Sequence, residues 1–227
     1  RVRQRLLWQR RKCSKFLMHK LLNILSNTYS IVLYPMLMPL YGMLLFCIAI
    51  RQLSPEMPIL YLVICIVGTA ILTLVIPIIL LLFMRWKGYI DSLQIEKPKQ
   101  RTMPYIYTLI CYCFWAYFVH GVVKLPMFML LVVLGVILAL LAVTIINHWW
   151  KISAHLTGIG GLIGGVCSFA MNYSILPVGL VITLLLISLL LMYARLYLNA
   201  HTPMQVICGF LLGLLATFLP NIIMVYA

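Results

Sequence analysis

Seven long apolar runs, separated by short polar turns, organise this chain at roughly 30–50, 57–84, 103–120, 125–147, 155–172, 176–195 and 203–226. A helix needs about 20 apolar residues to cross the hydrocarbon of a bilayer, whereas a barrel strand needs only about 10. In lipid the backbone must satisfy its own hydrogen bonds, which restricts spanning structure to helices and closed barrels. The pattern therefore predicts an all-α, polytopic membrane helix bundle of about seven spans over residues 28–227. The second run has 28 residues, or about 42 Å of helix against about 30 Å of hydrocarbon. It should tilt or protrude, with a kink at Pro77.

Composition strengthens this picture. Apolar residues make up 65% of the chain and charged ones 9%, and the mean hydropathy is +1.11, far from a soluble domain's balance. Residues 1–27 form a separate basic, partly amphipathic segment. Arg1, Arg3, Arg5, Arg10, Arg11, Lys12, Lys15 and Lys20 are interleaved there with Leu6, Leu7, Trp8, Phe16, Leu17 and Met18. Such a segment suits the surface of a membrane rich in anionic lipids. No small-residue cleavage site follows the first apolar run, so that run is read as a retained span. The seven cysteines are scattered, with no spacing of a zinc site or a disulfide framework.

Alternating the crossings sorts the polar turns. The N-terminus, the 85–102 loop and the turns at 148–154 and 196–202 fall on one face. Of the seventeen Lys and Arg residues, only Arg51 and Lys124 belong to the other. Polar groups at the ends of spans are costly and so are functional candidates. Ser153 sits where an N-cap belongs, and His155 falls in the first turn of the following helix, where the dipole favours anions. Thr202-Pro203 repeats the arrangement, with His201 just before a helix start. Arg195 ends the preceding span and offers a planar fork to phosphate oxygens. Lys97, Lys99 and Arg101 cluster before the third span. The glycines at 160, 164, 161 and 165 are spaced by four inside a span, a stripe for close helix packing rather than a nucleotide loop. Only three acids, Glu56, Asp91 and Glu96, are present, which argues against a magnesium site built on paired carboxylates.

These residues resemble the signature of the type 2 phosphatidic acid phosphatase superfamily, in which a Lys-x6-Arg-Pro block, a Ser-Gly-His block and a Ser-Arg-x5-His-x3-Asp block cooperate. Ser153-Ala154-His155 is similar to the second block. Ala194-Arg195-x5-His201-x3-Gln205 is similar to the third, with alanine for serine and glutamine for aspartate. In the first, Arg101 is followed by a displaced Pro104, and Lys97 or Lys99 replaces the expected lysine. The resemblance spans about residues 94–213. It implies a phosphohistidine mechanism with no cofactor or metal: His201 as nucleophile, His155 as proton donor, and Lys97, Lys99, Arg101, Ser153 and Arg195 on the phosphoryl oxygens. Gln205 would orient His201 through an amide oxygen but supply no negative charge; Asp91 or Glu96 could replace that charge.

The expected function is therefore an integral membrane lipid phosphatase acting on a lipid phosphomonoester or pyrophosphate. Its partners would be that lipid and, at the N-terminal segment, anionic membrane lipids; nucleic acid is not implied. The alternative is a catalytically impaired relative that binds or moves anionic lipids. The expected setting is a bacterial inner membrane. The positive-inside rule places the site in the cytoplasm, whereas the resemblance implies an opening to the periplasm or lumen.

Overall fold

The computed structural model describes residues 2–92, 95 and 98–226, with the side chains of 17–92, 95 and 100–224. Among them there is no strand. Nine α-helices follow in order: α1 Val2–Val32, α2 Met38–Leu53, α3 Ile59–Ala70, α4 Ile76–Trp86, α5 Pro98–Tyr117, α6 Met127–Ile146, α7 Ala154–Tyr173, α8 Val178–Tyr197 and α9 Pro203–Tyr226. Seven stretches are long and apolar enough to cross a membrane: Leu17–Leu53, Ile59–Trp86, Gln100–Val122, Met127–Ile146, Ala154–Tyr173, Val178–Tyr197 and Pro203–Met224. The protein is an integral, multi-pass membrane helix bundle. Its outer surface carries exposed apolar side chains along every span except Ala154–Tyr173, which is enclosed by the others.

The first stretch starts earlier than the apolar pattern alone suggests and is broken. At 37 residues a continuous helix would be about 55 Å long, nearly twice the hydrocarbon thickness. Pro35 and Pro39 interrupt it, and a short 3-10 turn, Pro35–Leu37, joins α1 to α2. Beyond the break α2 packs on α3 and α7, while α1 packs on α8. On α1, Ser26 and Ser30 are buried against the protein, whereas Leu17, Met18, Leu21, Ile24 and Leu25 are exposed beside Lys20, Asn23 and Thr28. Its outward side thus mixes apolar and polar residues.

The long second span changes its hydrogen bonding just before Pro77. Pro77 has no N–H to give to the carbonyl four residues back. The turn before it, Ile71–Val75, widens to a π-helix, in which the Ile76 N–H reaches the Ile71 carbonyl. A second π turn, Phe118–Val122, closes the third span, and the Phe118 ring fills the space that a side chain at Gly68 would need. The indole N–H of Trp115 donates to Thr69 Oγ1 at 3.0 Å, tying α5 to α3 inside an apolar cluster around Met43, Phe46, Cys65 and Val133.

The most intimate pair is α7 and α9. The glycine stripe read from α7 is half of the contact. A Cβ at Gly160 would strike the Phe210 carbonyl, and one at Gly164 would lie 2.5 Å from the Leu214 carbonyl. The other half belongs to α9. A Cβ at Gly213 would strike the Thr157 carbonyl, and one at Gly209 would lie 2.6 Å from the Ser153 carbonyl. Gly161 also faces α9, with room for a Cβ beside Thr217, and Gly165 faces Val132 of α6. The close approach lets side chains bond to the facing backbone: Thr217 Oγ1 donates to the Gly161 carbonyl at 3.0 Å and Ser168 Oγ to the Thr217 carbonyl at 3.2 Å. Such bonds add about 0.6 kcal/mol each in membranes, so the backbone contact itself sets the geometry.

Gly213→Leu should therefore separate α7 from α9 and lower the thermal midpoint in detergent strongly, since overpacking typically costs about 1–3 kcal/mol even against movable side chains. Gly179→Ala, at a position with nothing within 4 Å, should leave the midpoint unchanged or raise it slightly.

Candidate anion site

Ser153 caps α7 as its position predicts, accepting the Leu156 N–H at 3.5 Å. Two residues later His155 projects from the first turn of the helix. Pro203 opens α9, and the residue three positions after Thr202 is Gln205. Its Oε1 accepts the Thr202 N–H at 3.1 Å, the backward half of a capping box. The two helix starts are stitched together, for the Ser153 N–H donates to the Gln205 carbonyl at 3.2 Å. The close α7–α9 packing thus holds His155 and His201 at the same end of the bundle.

Four of the residues singled out in the sequence line one cavity of about 660 Å³: Arg101, His155, Arg195 and His201. They come from three separate spans and one turn. Arg101 is buried, its Nε donating to the Ile95 carbonyl at 2.7 Å. Arg195 donates from Nη1 to Ser30 Oγ at 3.3 Å, while its Nε is buried with no partner. Among the described residues, the groups whose charges act on Arg195 are Arg101 and the Tyr34 phenol. The two guanidinium groups thus line one pocket with no carboxylate of the described residues acting on Arg195. Buried charges are costly unless paired, so the arrangement favours an anion.

His201 is held by acceptors. Its Nδ1 lies 3.2 Å from the Lys151 carbonyl and 3.3 Å from Gln205 Oε1. A carbonyl can only accept, so Nδ1 carries the proton and Nε2 keeps its lone pair. Burial pushes the imidazole's pKa down to about 4, and the positive charges of Arg195 and Arg101 act in the same direction, against the bond to Lys151. At neutral pH the ring is uncharged. His155 has the opposite arrangement: its Nε2 faces the Ser30 carbonyl at 3.1 Å, so Nε2 bears the proton. Tyr34 meets the His155 ring edge-on, with centroids 5.6 Å apart.

The remaining expectations are placed as follows. Ser153 is fully buried and engaged in capping, and it does not line the cavity. Gln205 also stays outside the lining and touches His201 from behind. Lys97 lies outside the described residues, as does Glu96, and so does the side chain of Lys99. Asp91 is exposed. The structure adds Ser30, Tyr34, Tyr105 and Lys151 to the lining. Ser26 and Ser30, polar positions four apart in an apolar stretch, were the sequence signal for the α1 contribution. Lys151 was visible only as a basic turn residue. Around this end of the bundle Trp86, Tyr89 and Trp149 are exposed, the aromatic belt of a membrane–water interface.

Compared with known proteins, the chain matches no family model, no curated protein and no solved structure. The case for function rests on the site itself.

Because His201 is neutral down to about pH 4, its carbethoxylation should proceed at a constant rate from neutral pH to about 5, where an unperturbed imidazole would already be mostly protonated. Peptide-resolved mass spectrometry after diethyl pyrocarbonate treatment measures this; a midpoint near that of free histidine would contradict the assigned environment.

Proposed function

We propose that this protein is a membrane lipid phosphatase that hydrolyses a lipid phosphomonoester or pyrophosphate through a phosphohistidine on His201. The observation that carries this reading is the pairing, in one cavity, of two guanidinium groups with an imidazole whose Nδ1 is held by two acceptors, leaving Nε2 with its lone pair. Binding alone calls for the cations. A nucleophilic nitrogen held neutral beside them suits phosphoryl transfer, where positioning and charge stabilisation supply most of the catalysis.

In the proposed sequence the phosphoryl oxygens lie between Arg101 and Arg195. The His201 Nε2 lone pair attacks phosphorus, forming the P–N bond as the P–O bond to the lipid breaks. Arriving as a monoanion, the substrate brings the proton itself, which passes from a phosphoryl oxygen to Nδ1 of the neutral His155 and on to the departing oxygen, while Nε2–H stays on the Ser30 carbonyl. Water then attacks phosphorus, losing its proton through His155 to a phosphoryl oxygen, and the P–N bond breaks to release phosphate and restore neutral His201. Atoms, charge and protons balance without a further reactant.

Gln205 supports a second reading. It supplies no negative charge to stabilise a phosphorylated imidazole, which fits a relative that binds or moves anionic lipids without hydrolysing them. Against this stands the Lys151 carbonyl, which takes the His201 Nδ1 proton whatever residue 205 is. In a serine protease triad, loss of the orienting acid costs about 10⁴ in turnover through the wrong tautomer; a backbone acceptor avoids that error. The basic residues gathered at this face support a cytoplasmic site in a bacterial inner membrane.

Detergent-purified protein should release phosphate from a panel of lipid phosphates in the presence of a chelator. His201→Ala should lower turnover by about 10³-fold or more, and His155→Ala by about 10²–10⁴. No release above the His201→Ala background would favour the lipid-binding reading. Gln205→Ala separates capping from chemistry: it should cost about 1 kcal/mol of stability while lowering turnover by less than about tenfold. A collapse of turnover with unchanged stability would make the amide the essential orienting group.

A further inference from the structure

The hydroxyl expected to bind phosphate does not reach the cavity. Ser153 is buried in the cap of α7 and lies outside the lining. The Ser and Thr hydroxyls that do line it, on Ser30, Thr108, Thr157 and Thr217, give their hydrogens to backbone carbonyls. Short side chains on helices habitually do so. A phenol stands too far from its own backbone for that bond, and two phenols, those of Tyr34 and Tyr105, line the cavity with the arginines.

Local sequence explains both positions. Pro35 bars the residue before it from the helical region, and Tyr34 is accordingly extended, with φ −65° and ψ 138°. The break sets its ring edge-on to His155 and packs it against the cluster of Met36, Leu81 and Met84. Tyr105 follows Arg101 by four residues on α5, so the two share one helical face. There the Arg101 guanidinium engages the Tyr105 phenol. The charges of Arg101 and Arg195 both act on Tyr34, which also lies near Tyr105. The two phenols and the two guanidinium groups thus form one cluster at the histidines.

A phenol suits this place better than another charged group. A lysine would add to the repulsion between Arg101 and Arg195, and a carboxylate would take the place of the arriving anion. A hydroxyl whose oxygen accepts from a guanidinium still has its hydrogen to give. It adds a donor without changing the charge of the pocket, and a hydrogen bond to an anion is stronger than one between neutral groups.

Resting on the phosphate reading of the site, we infer that Tyr34 is the hydroxyl ligand of the phosphoryl group, in the role that spacing assigns to Ser153, and that Tyr105 is a positioning residue for Arg101. The Ile95 carbonyl holds Nε of Arg101, and Tyr105 holds the same guanidinium from one turn along α5. The phosphoryl group is then gripped by the α1–α2 break, α5 and α8, while the two histidines come from α7 and the turn before α9.

Calorimetric binding to the detergent-purified full chain tests this without turnover. The probes are the non-hydrolysable phosphonate analogue of dioleoyl phosphatidate, dioleoylglycerol and inorganic phosphate. The phosphonate should bind at least about tenfold more tightly than dioleoylglycerol; equal binding would overturn the phosphate reading itself. Tyr34→Phe keeps the ring beside His155 and removes only the oxygen. It should weaken the phosphonate and inorganic phosphate by about tenfold or more and leave dioleoylglycerol unchanged. Ser153→Ala should lower the thermal midpoint and leave phosphonate affinity unchanged. Full phosphonate affinity in Tyr34→Phe, equal losses of phosphonate and dioleoylglycerol there, or a loss of about tenfold in Ser153→Ala would overturn the Tyr34 assignment while the phosphate reading stands. Tyr105→Phe should weaken the phosphonate by about threefold or more in the native background and not at all beside Arg101→Ala. Equal losses in both backgrounds would overturn the positioning role.

Discussion

Close contact between the backbones of α7 and α9 fixes the rest of the site. Each helix presents glycines to the other's carbonyl oxygens, so the two axes lie nearer than any pair of side chains would permit. At the end of that contact the Ser153 N–H bonds to the Gln205 carbonyl, which joins the starts of the two helices. His155 stands one turn along the first and His201 immediately before the second. Their separation is thus a property of main-chain packing, insensitive to the rotamers of the surrounding leucines. In a bilayer, where burial from water gives helices no reason to associate, such packing is the available means of rigid placement.

On this rigid pair the electrostatics can be severe. Arg101 and Arg195 are brought together in a pocket from which water is largely removed, and each raises the cost of the other's charge. The same field, added to burial, keeps His201 neutral far below the usual histidine range. On the proposed function, an arriving anion would relieve the repulsion and meet the neutral imidazole already oriented by two acceptors, so that binding and preparation of the nucleophile would have one source. The contribution of α1 is of a different kind. Its inward polar face reaches over the site and engages both His155 and Arg195 through the one residue Ser30.

The architecture was largely legible in the chain. Apolar run length and the scarcity of acids gave the helical membrane class, and alternation of crossings put Arg101, His155, Arg195 and His201 on one face. The N-caps Ser153 and Thr202, the disturbed helix at Pro77 and the α7 glycine stripe are local features, set by which backbone groups can bond and which side chains can fit. Those forces act within a few residues, and sequence spacing records them.

Roles that depend on contacts between distant segments were not recorded there. Ser153 has the right position for a phosphate ligand, yet its hydroxyl serves the helix behind it. Gln205 occupies the place of an acid, and its oxygen completes a capping box while a carbonyl fifty residues upstream shares the histidine proton. Gly209 and Gly213 are unremarkable on their own, since a glycine's value lies in the backbone brought against it. Neither the polar face of α1 over the site nor the cavity beneath it follows from any run of residues. Sequence alone determined which segments enter lipid and which of their ends carry charge, because the bilayer acts on each segment separately. Only the tertiary structure decided which polar groups meet and which of them face the cavity, because those follow from the packing of seven spans against one another.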